Sequence, residues 1–168
     1  MMINYFKVLN LPTTFDLNIL DIEDSYRKLQ QKFHPDSNNQ ESTNDEQSFL
    51  VNSALEIIGD KFLRACHLLE LSGFNINDEN FIIKADISPE PSMIEEIIDL
   101  QETILYLDNK ENANNLKKEF DIKFADLLTL AISEYGRNNL QDASKILIKA
   151  KYFRKIITDL KKKIKLLK

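Results

Sequence analysis

The chain has 168 residues, a net charge of −5 and one cysteine, Cys66. An intramolecular disulfide is excluded, which fits a reducing compartment, and no apolar run reaches the roughly 18 residues of a membrane span. With 3 Gly, 4 Pro and no Trp, and abundant Leu, Ile, Lys, Glu and Asn, the composition favours helices over a turn-rich β fold.

Met1-Met2-Ile3-Asn4-Tyr5 has neither a basic n-region nor a cleavage pattern, so no signal peptide is expected. Lys7 is the only basic residue before Arg27, which speaks against an uncleaved mitochondrial presequence. The first predicted element is the short apolar segment Tyr5-Phe6-Lys7-Val8-Leu9, with Asn4 as a possible cap and Leu11-Pro12 as its stop. A loop leads to Asn18, a plausible N-cap. Residues 19–33 then repeat Ile22, Tyr26, Leu29 and Phe33 at steps of four, three and four, one face of an amphipathic helix. Arg27, Lys28 and Lys32 fall off that stripe and form a basic outer face. Pro35 stops the helix, because it disfavours the helical region for His34 and has no amide to donate.

After a polar loop over residues 37–42, Thr43-x-x-Glu46 reads as a capping box opening a helix that ends near Gly59. A further helix over residues 60–72 carries Phe62, Ala65, Leu68, Leu69 and Leu71, with Gly73 as C-cap. Residues 74–92 show no helical period and contain Pro89 and Pro91. They read as a stiff connection between two units, since Phe74, Ile76, Phe81, Ile82 and Ile83 ask for something to pack on. Three long helical patterns follow, at about residues 92–108, 113–135 and 140–167, separated by short breaks. Short connections imply antiparallel neighbours, hence a three-helix bundle.

His34-Pro35-Asp36, set after a helix with a basic face and before a polar loop and a returning amphipathic helix, resembles a J-domain. Tyr5-Phe6-x-Val8-Leu9-x-Leu11-Pro12, Asn52-Ser53-Ala54-Leu55 and Arg64-Ala65-Cys66-His67-Leu68-Leu69-Glu70-Leu71-Ser72-Gly73-Phe74 are similar to the HscB family, the J-type co-chaperones of iron–sulfur cluster assembly. The likeness covers essentially the whole chain. Four departures stand out. Ser37-Asn38 replaces the basic or aromatic residues common after the motif. The following loop and helix start look about five residues shorter. Lys61 stands where a Pro is usual, and the cysteine-rich metal module of some eukaryotic relatives is absent.

The resemblance implies an all-α protein: an N-terminal J-domain, a helical hairpin with short flanking helices, followed by a C-terminal three-helix bundle. The boundaries are 1–73, a connecting segment 74–91, and 92–168. It implies that His34, Pro35 and Asp36 dock on a DnaK-type ATPase chaperone, the specialised HscA, and stimulate its ATP hydrolysis. The physics agrees: Pro35 stiffens the loop, Asp36 offers a carboxylate to an arginine, and Arg27, Lys28 and Lys32 suit an acidic partner surface.

The second surface comes from angles along the helix after Pro91. At 100° per residue, Met93, Ile97, Leu100, Ile104 and Leu107 form a core stripe, while Ile94, Ile98 and Leu105 gather roughly 100° further round. Glu95 and Glu102 border this second stripe, with Asp99 beyond. An apolar strip rimmed by carboxylates is a plausible partner surface. In the last helix, Ile146, Ala150, Phe153, Ile157, Leu160 and Ile164 make the core line, and Tyr152 falls about 120° away on a lysine-rich face. By resemblance, Ile94, Ile98, Asp99, Glu102 and Tyr152 occupy the positions that bind an IscU-type scaffold. The plain alternative is that these wide apolar faces pack on the J-domain.

The last 24 residues hold ten basic side chains and one acid, Asp159, which invites a nucleic-acid reading. It predicts affinity falling steeply with salt; no shift in a low-salt gel would remove it. A generic J-protein with a different client is the other competitor. Cys66, His67 and His34 are too few soft ligands for a zinc or iron–sulfur site, and Cys66 reads as a buried structural thiol. No cofactor and no metal are expected, nor are a nucleic acid or a membrane as partners. The absence of a phosphate-binding glycine loop or a nucleophile elbow argues against an enzyme. Bacterial cytoplasm is the expected location, ahead of a processed form in the mitochondrial matrix.

Overall fold

Asn4 opens the first helix by accepting the Lys7 amide on its side chain at 3.2 Å. That helix, α1 (Tyr5–Val8), is a single turn that buries Phe6 and is followed by buried Leu9. The computed structural model describes residues 2–33 and 41–167, with backbone alone for 41–44. The chain divides into two units, Met1–Gly73 and Phe74–Lys168, each built around its own core. Among the described residues every regular element is an α-helix.

In the first unit α2 (Ile19–Phe33) and α3 (Glu41–Gly59) pair, and α3 also packs on α1 and on α4 (Lys61–Leu71). The stripe predicted for α2 faces inward unevenly: Ile22 is fully buried, whereas Tyr26, Leu29 and Phe33 are half-buried. Val51, Ala54 and Ile58 of α3 and Phe62, Ala65 and Leu68 of α4 complete the core. The helix begins at Glu41, so Thr43 and Glu46 lie inside it and the predicted capping box does not open it. Sequence caps locate a helix end only to within a residue or two. Asp60 caps α4 by accepting the Leu63 amide at 2.9 Å, so Lys61 takes the first helical position without needing proline's preset φ. Gly73, at φ +88°, ends the unit in the left-handed region, as expected for a residue just beyond a helix C-terminus.

In the second unit the stretch read as aperiodic contains a helix, α5 (Glu79–Lys84), capped by Asp78 through the amides of Asn80 and Phe81. Six residues are too few to display a 3.6-residue period, so local capping rather than patterning marks it. Then come α6 (Pro91–Tyr106), α7 (Lys110–Gly136) and α8 (Leu140–Leu166). Pro91 sits at the start of α6, and Asn109 caps α7 through the amides of Glu111 and Asn112 at 2.8 and 3.1 Å, three residues ahead of the predicted start. The bundle core joins Ile97 and Ile104 of α6, Phe120 of α7, and Phe153, Ile156 and Leu160 of α8. Phe120 and Phe153 meet edge to face at 5.6 Å.

The core line predicted for α8 is too narrow. Leu147, Ile148 and Ile156 are buried as well, while Ile146 and Ile164 are only half-buried. Ile156 joins the bundle core, while Ile148 faces residues 74–90, which lie along α8: Gln141 donates to the Ala85 carbonyl at 3.0 Å, and Lys151 to the Asn77 side chain at 3.0 Å.

Candidate functional site

The first candidate surface lies on α2. Arg27, Lys28 and Lys32 are all exposed. Arg27 pairs with Asp24 at 3.3 Å in open solvent, and the Lys32 ammonium lies 5.4 Å from the Phe33 ring centre. Besides apolar packing, Asn52 of α3 ties the helix down: its Oδ1 accepts from the Tyr26 hydroxyl at 2.9 Å and the Gln30 amide at 2.7 Å. His34, Pro35 and Asp36 lie outside the described residues.

Below this surface is a pair of buried polar side chains whose structural role sequence reasoning missed. Arg64, 3% exposed, donates to the Ile58 carbonyl at 2.7 Å, near the end of α3. It also donates to the Phe15 carbonyl, in the loop before α2, at 2.8 Å. Burial lowers its pKa, opposed by the nearby charges of Asp60 and Asp16. One turn on, His67, also 3% exposed, accepts the Tyr5 amide on Nε2 at 3.1 Å and faces Glu70 with Nδ1 at 3.3 Å. The tautomer this geometry requires carries its proton on Nδ1. Its ring stacks on Phe6 at 5.8 Å. The i, i+3 spacing of Arg64 and His67 on an otherwise apolar helix was the available signal. Two polar groups on a buried face need partners. Cys66, between them, is buried.

The second surface is on α6. Ile97 and Ile104 are buried, and Leu100 and Leu107 pack against the same cluster. The second stripe stays open: Ile94 is half-buried, Ile98 is 56% exposed and Leu105 is 68% exposed. Glu95, Asp99 and Glu102 are exposed around it. Two contacts seat α6 on α8 and so hold the strip in place, Lys149 to Glu96 at 3.3 Å and Lys163 to the Leu105 carbonyl at 2.7 Å.

Tyr152 is half-buried against the bundle core. It also lines a groove with Ile76, Ile82, Pro89 and Ile148, on the α5 side of α8. It therefore belongs both to the packing around Ile97 and to a surface outside the α6 strip.

Two family models match the chain. The DnaJ domain covers residues 4–66, and the HSCB C-terminal oligomerisation domain covers residues 89–161. The chain belongs to the HscB family. It is thus a J-domain co-chaperone, a regulator of another protein's ATP hydrolysis and not itself an enzyme. A co-chaperone HscB homologue from Shewanella amazonensis is 29% identical over 95% of both chains. An iron–sulfur cluster co-chaperone HscB homologue from Arabidopsis thaliana is 23% identical over 96% of this chain, which spans 64% of that relative's length. The solved structure of chaperone HscB from Vibrio cholerae superposes with a TM-score of 0.81 at 20% identity, covering 99% of this chain and all of the other. Human HscB gives 0.78 at 21% identity, with 98% and 82% covered. At such identities the solved structures establish a shared HscB fold. Among the described residues no helix is long and apolar enough to cross a membrane.

Proposed function

We propose that this HscB-family chain works in iron–sulfur cluster assembly. In this reading its second unit binds an IscU-type scaffold protein. The first unit presents that scaffold to an HscA-like DnaK-type chaperone and stimulates ATP hydrolysis through His34, Pro35 and Asp36, with Arg27, Lys28 and Lys32 orienting the encounter. The observation that carries the scaffold half is the open strip of Ile94, Ile98 and Leu105, rimmed by Glu95, Asp99 and Glu102 in a unit whose own core is complete without it. Exposed apolar surface that the fold does not need marks a place for a partner. The chaperone half is supported by the exposed cations of α2, set within the seven residues before the His-Pro-Asp tripeptide in sequence. The matched co-chaperones include bacterial homologues, and in this reading the chain works in a bacterial cytoplasm ahead of the mitochondrial matrix.

Single-turnover ATPase of the cognate chaperone tests both halves. His34→Gln is expected to abolish stimulation with or without scaffold. Ile94→Ala/Ile98→Ala is expected to keep basal stimulation and lose the scaffold-dependent synergy. Normal stimulation by His34→Gln would refute the J-domain role. A scaffold pull-down with no retention, while ATPase stimulation persists, would make the chain a J-protein for a different client.

A further inference from the structure

The groove beside Tyr152 is left over once the bundle core and the α6 strip are accounted for. It has a volume of about 480 Å³ and lies between α5 and α8, floored by Ile76, Ile82, Pro89 and Ile148. Its rim carries Ile83, 72% exposed on the outer side of α5, the exposed acid Glu79 of α5, and the exposed lysines Lys151 and Lys155 of α8. Lys151 is engaged with Asn77 at 3.0 Å. Among the described residues Lys155 makes no ion pair. Ile82 and Ile83 are neighbours on a six-residue helix, and only the first turns inward. An isoleucine held outward on a capped helix, beside an apolar groove and a free ammonium group, has the make-up of a contact surface with an apolar centre and a charged rim.

We infer that this groove is a second part of the scaffold-binding face, engaging an apolar side chain of the scaffold flanked by carboxylates, with Ile83 and Lys155 as its contacts. The inference rests on the scaffold reading above. Two observations support it. Continuity comes from Tyr152, which packs on the core cluster containing Ile97 of α6 and also walls the groove. Charge selects the occupant. The α6 strip is rimmed by acids, whereas the groove sets Lys151 and Lys155 against Glu79, a rim that is positive on balance, so a partner covering both presents basic groups to the first and mainly acidic groups to the second. Such a two-signed footprint admits one orientation of the scaffold and rejects the reversed one, because reversal sets like charges together.

The test is isothermal titration calorimetry of the full chain against the cognate IscU-type scaffold. Ile83→Asp is expected to weaken binding about tenfold or more, and Lys155→Glu about fivefold. Both sites are exposed, so folding is expected to hold, and circular dichroism checks it. Ile122→Ser, an equally exposed apolar position on α7, should bind as wild type. Ile98→Ser reports on the α6 strip alone. If Ile98→Ser weakens binding while Ile83→Asp and Lys155→Glu bind like wild type, the groove is not part of the interface and the α6 reading stands. If Ile98→Ser, Ile83→Asp and Lys155→Glu all bind like wild type, the scaffold reading fails and the groove falls with it.

Discussion

Arg64 and His67 show how much of the first unit hangs on two side chains. Arg64 supplies the donors for two carbonyls that belong to different elements, the end of α3 and the loop before α2. Arg64→Met keeps the aliphatic stem and removes every donor. It is expected to lower stability by about 3 kcal/mol, read as a reduced urea midpoint of the transition that unfolds this unit. His67→Phe retains a ring against Phe6 and deprives the Tyr5 amide of its acceptor, with an expected cost of about 1–2 kcal/mol. If His67→Phe were neutral, ring packing rather than the hydrogen bond would be what His67 contributes. Phe15 and Tyr5 were not legible as partners in the sequence, because those two bonds span 49 and 62 residues. What was legible is that polar residues on the buried side of an apolar helix demand partners. Ile98 and Leu105 were the opposite case: their exposure follows from angles within one helix, without knowledge of any neighbour.

Helix ends are where local chemistry has the largest say, and two of them give separate predictions. Gly73 stands at φ +88° with no atom within 4 Å of where a side chain would begin. The cost of Gly73→Ala is therefore conformational alone, about 1 kcal/mol, and Gly73→Asn should cost less, since asparagine tolerates the left-handed region. At the α7–α8 turn, Glu134 accepts from the Asn139 amide at 2.7 Å and from Arg137 at 2.7 Å. The Asn139 bond, then the Arg137 charge, hold its carboxyl below its ordinary value. A carboxyl whose folded pKa is lowered contributes stability above its unfolded pKa. That contribution fades as pH falls through the folded pKa. Stability against pH should thus have a flatter acid limb in Glu134→Gln than in wild type, with the difference between the two disappearing at the lowest pH. Caps and stops were readable at this scale, as Asn4, Pro91 and Gly73 show. The helix α5 and the second buried face of α8 were not: six residues are too few to show a period, and Ile148 is buried by residues 74–90, far from it in sequence.

Across the molecule, charge is partitioned by surface, and the net value of −5 describes none of them. Part of the basic end that invites a nucleic-acid reading is engaged within its own unit. Lys149 pairs with Glu96, Lys151 binds Asn77, Lys162 pairs with Asp159, and Lys163 reaches the Leu105 carbonyl. Among the described residues the cations of α2 make no such links between elements, which leaves them available for long-range attraction of a chaperone. They are not equivalent. Lys28 and Lys32 are one turn apart along one line of the helix, whereas Arg27 lies about 100° round and is partly neutralised by Asp24. Attraction over a distance depends on net charge within a Debye length, about 10 Å at 0.1 M salt. Lys28→Gln and Lys32→Gln should therefore each slow association with the chaperone more than Arg27→Gln, and the pair together by about tenfold at low salt. Raising the salt should bring wild type and variants together, because screening removes what the substitutions remove. Dissociation rates should change little, since rim charges steer an encounter more than they hold it. Stopped-flow association measured at several ionic strengths decides the matter. An equal loss from Arg27→Gln, or a difference that survives high salt, would show that these residues act through direct contact instead of steering.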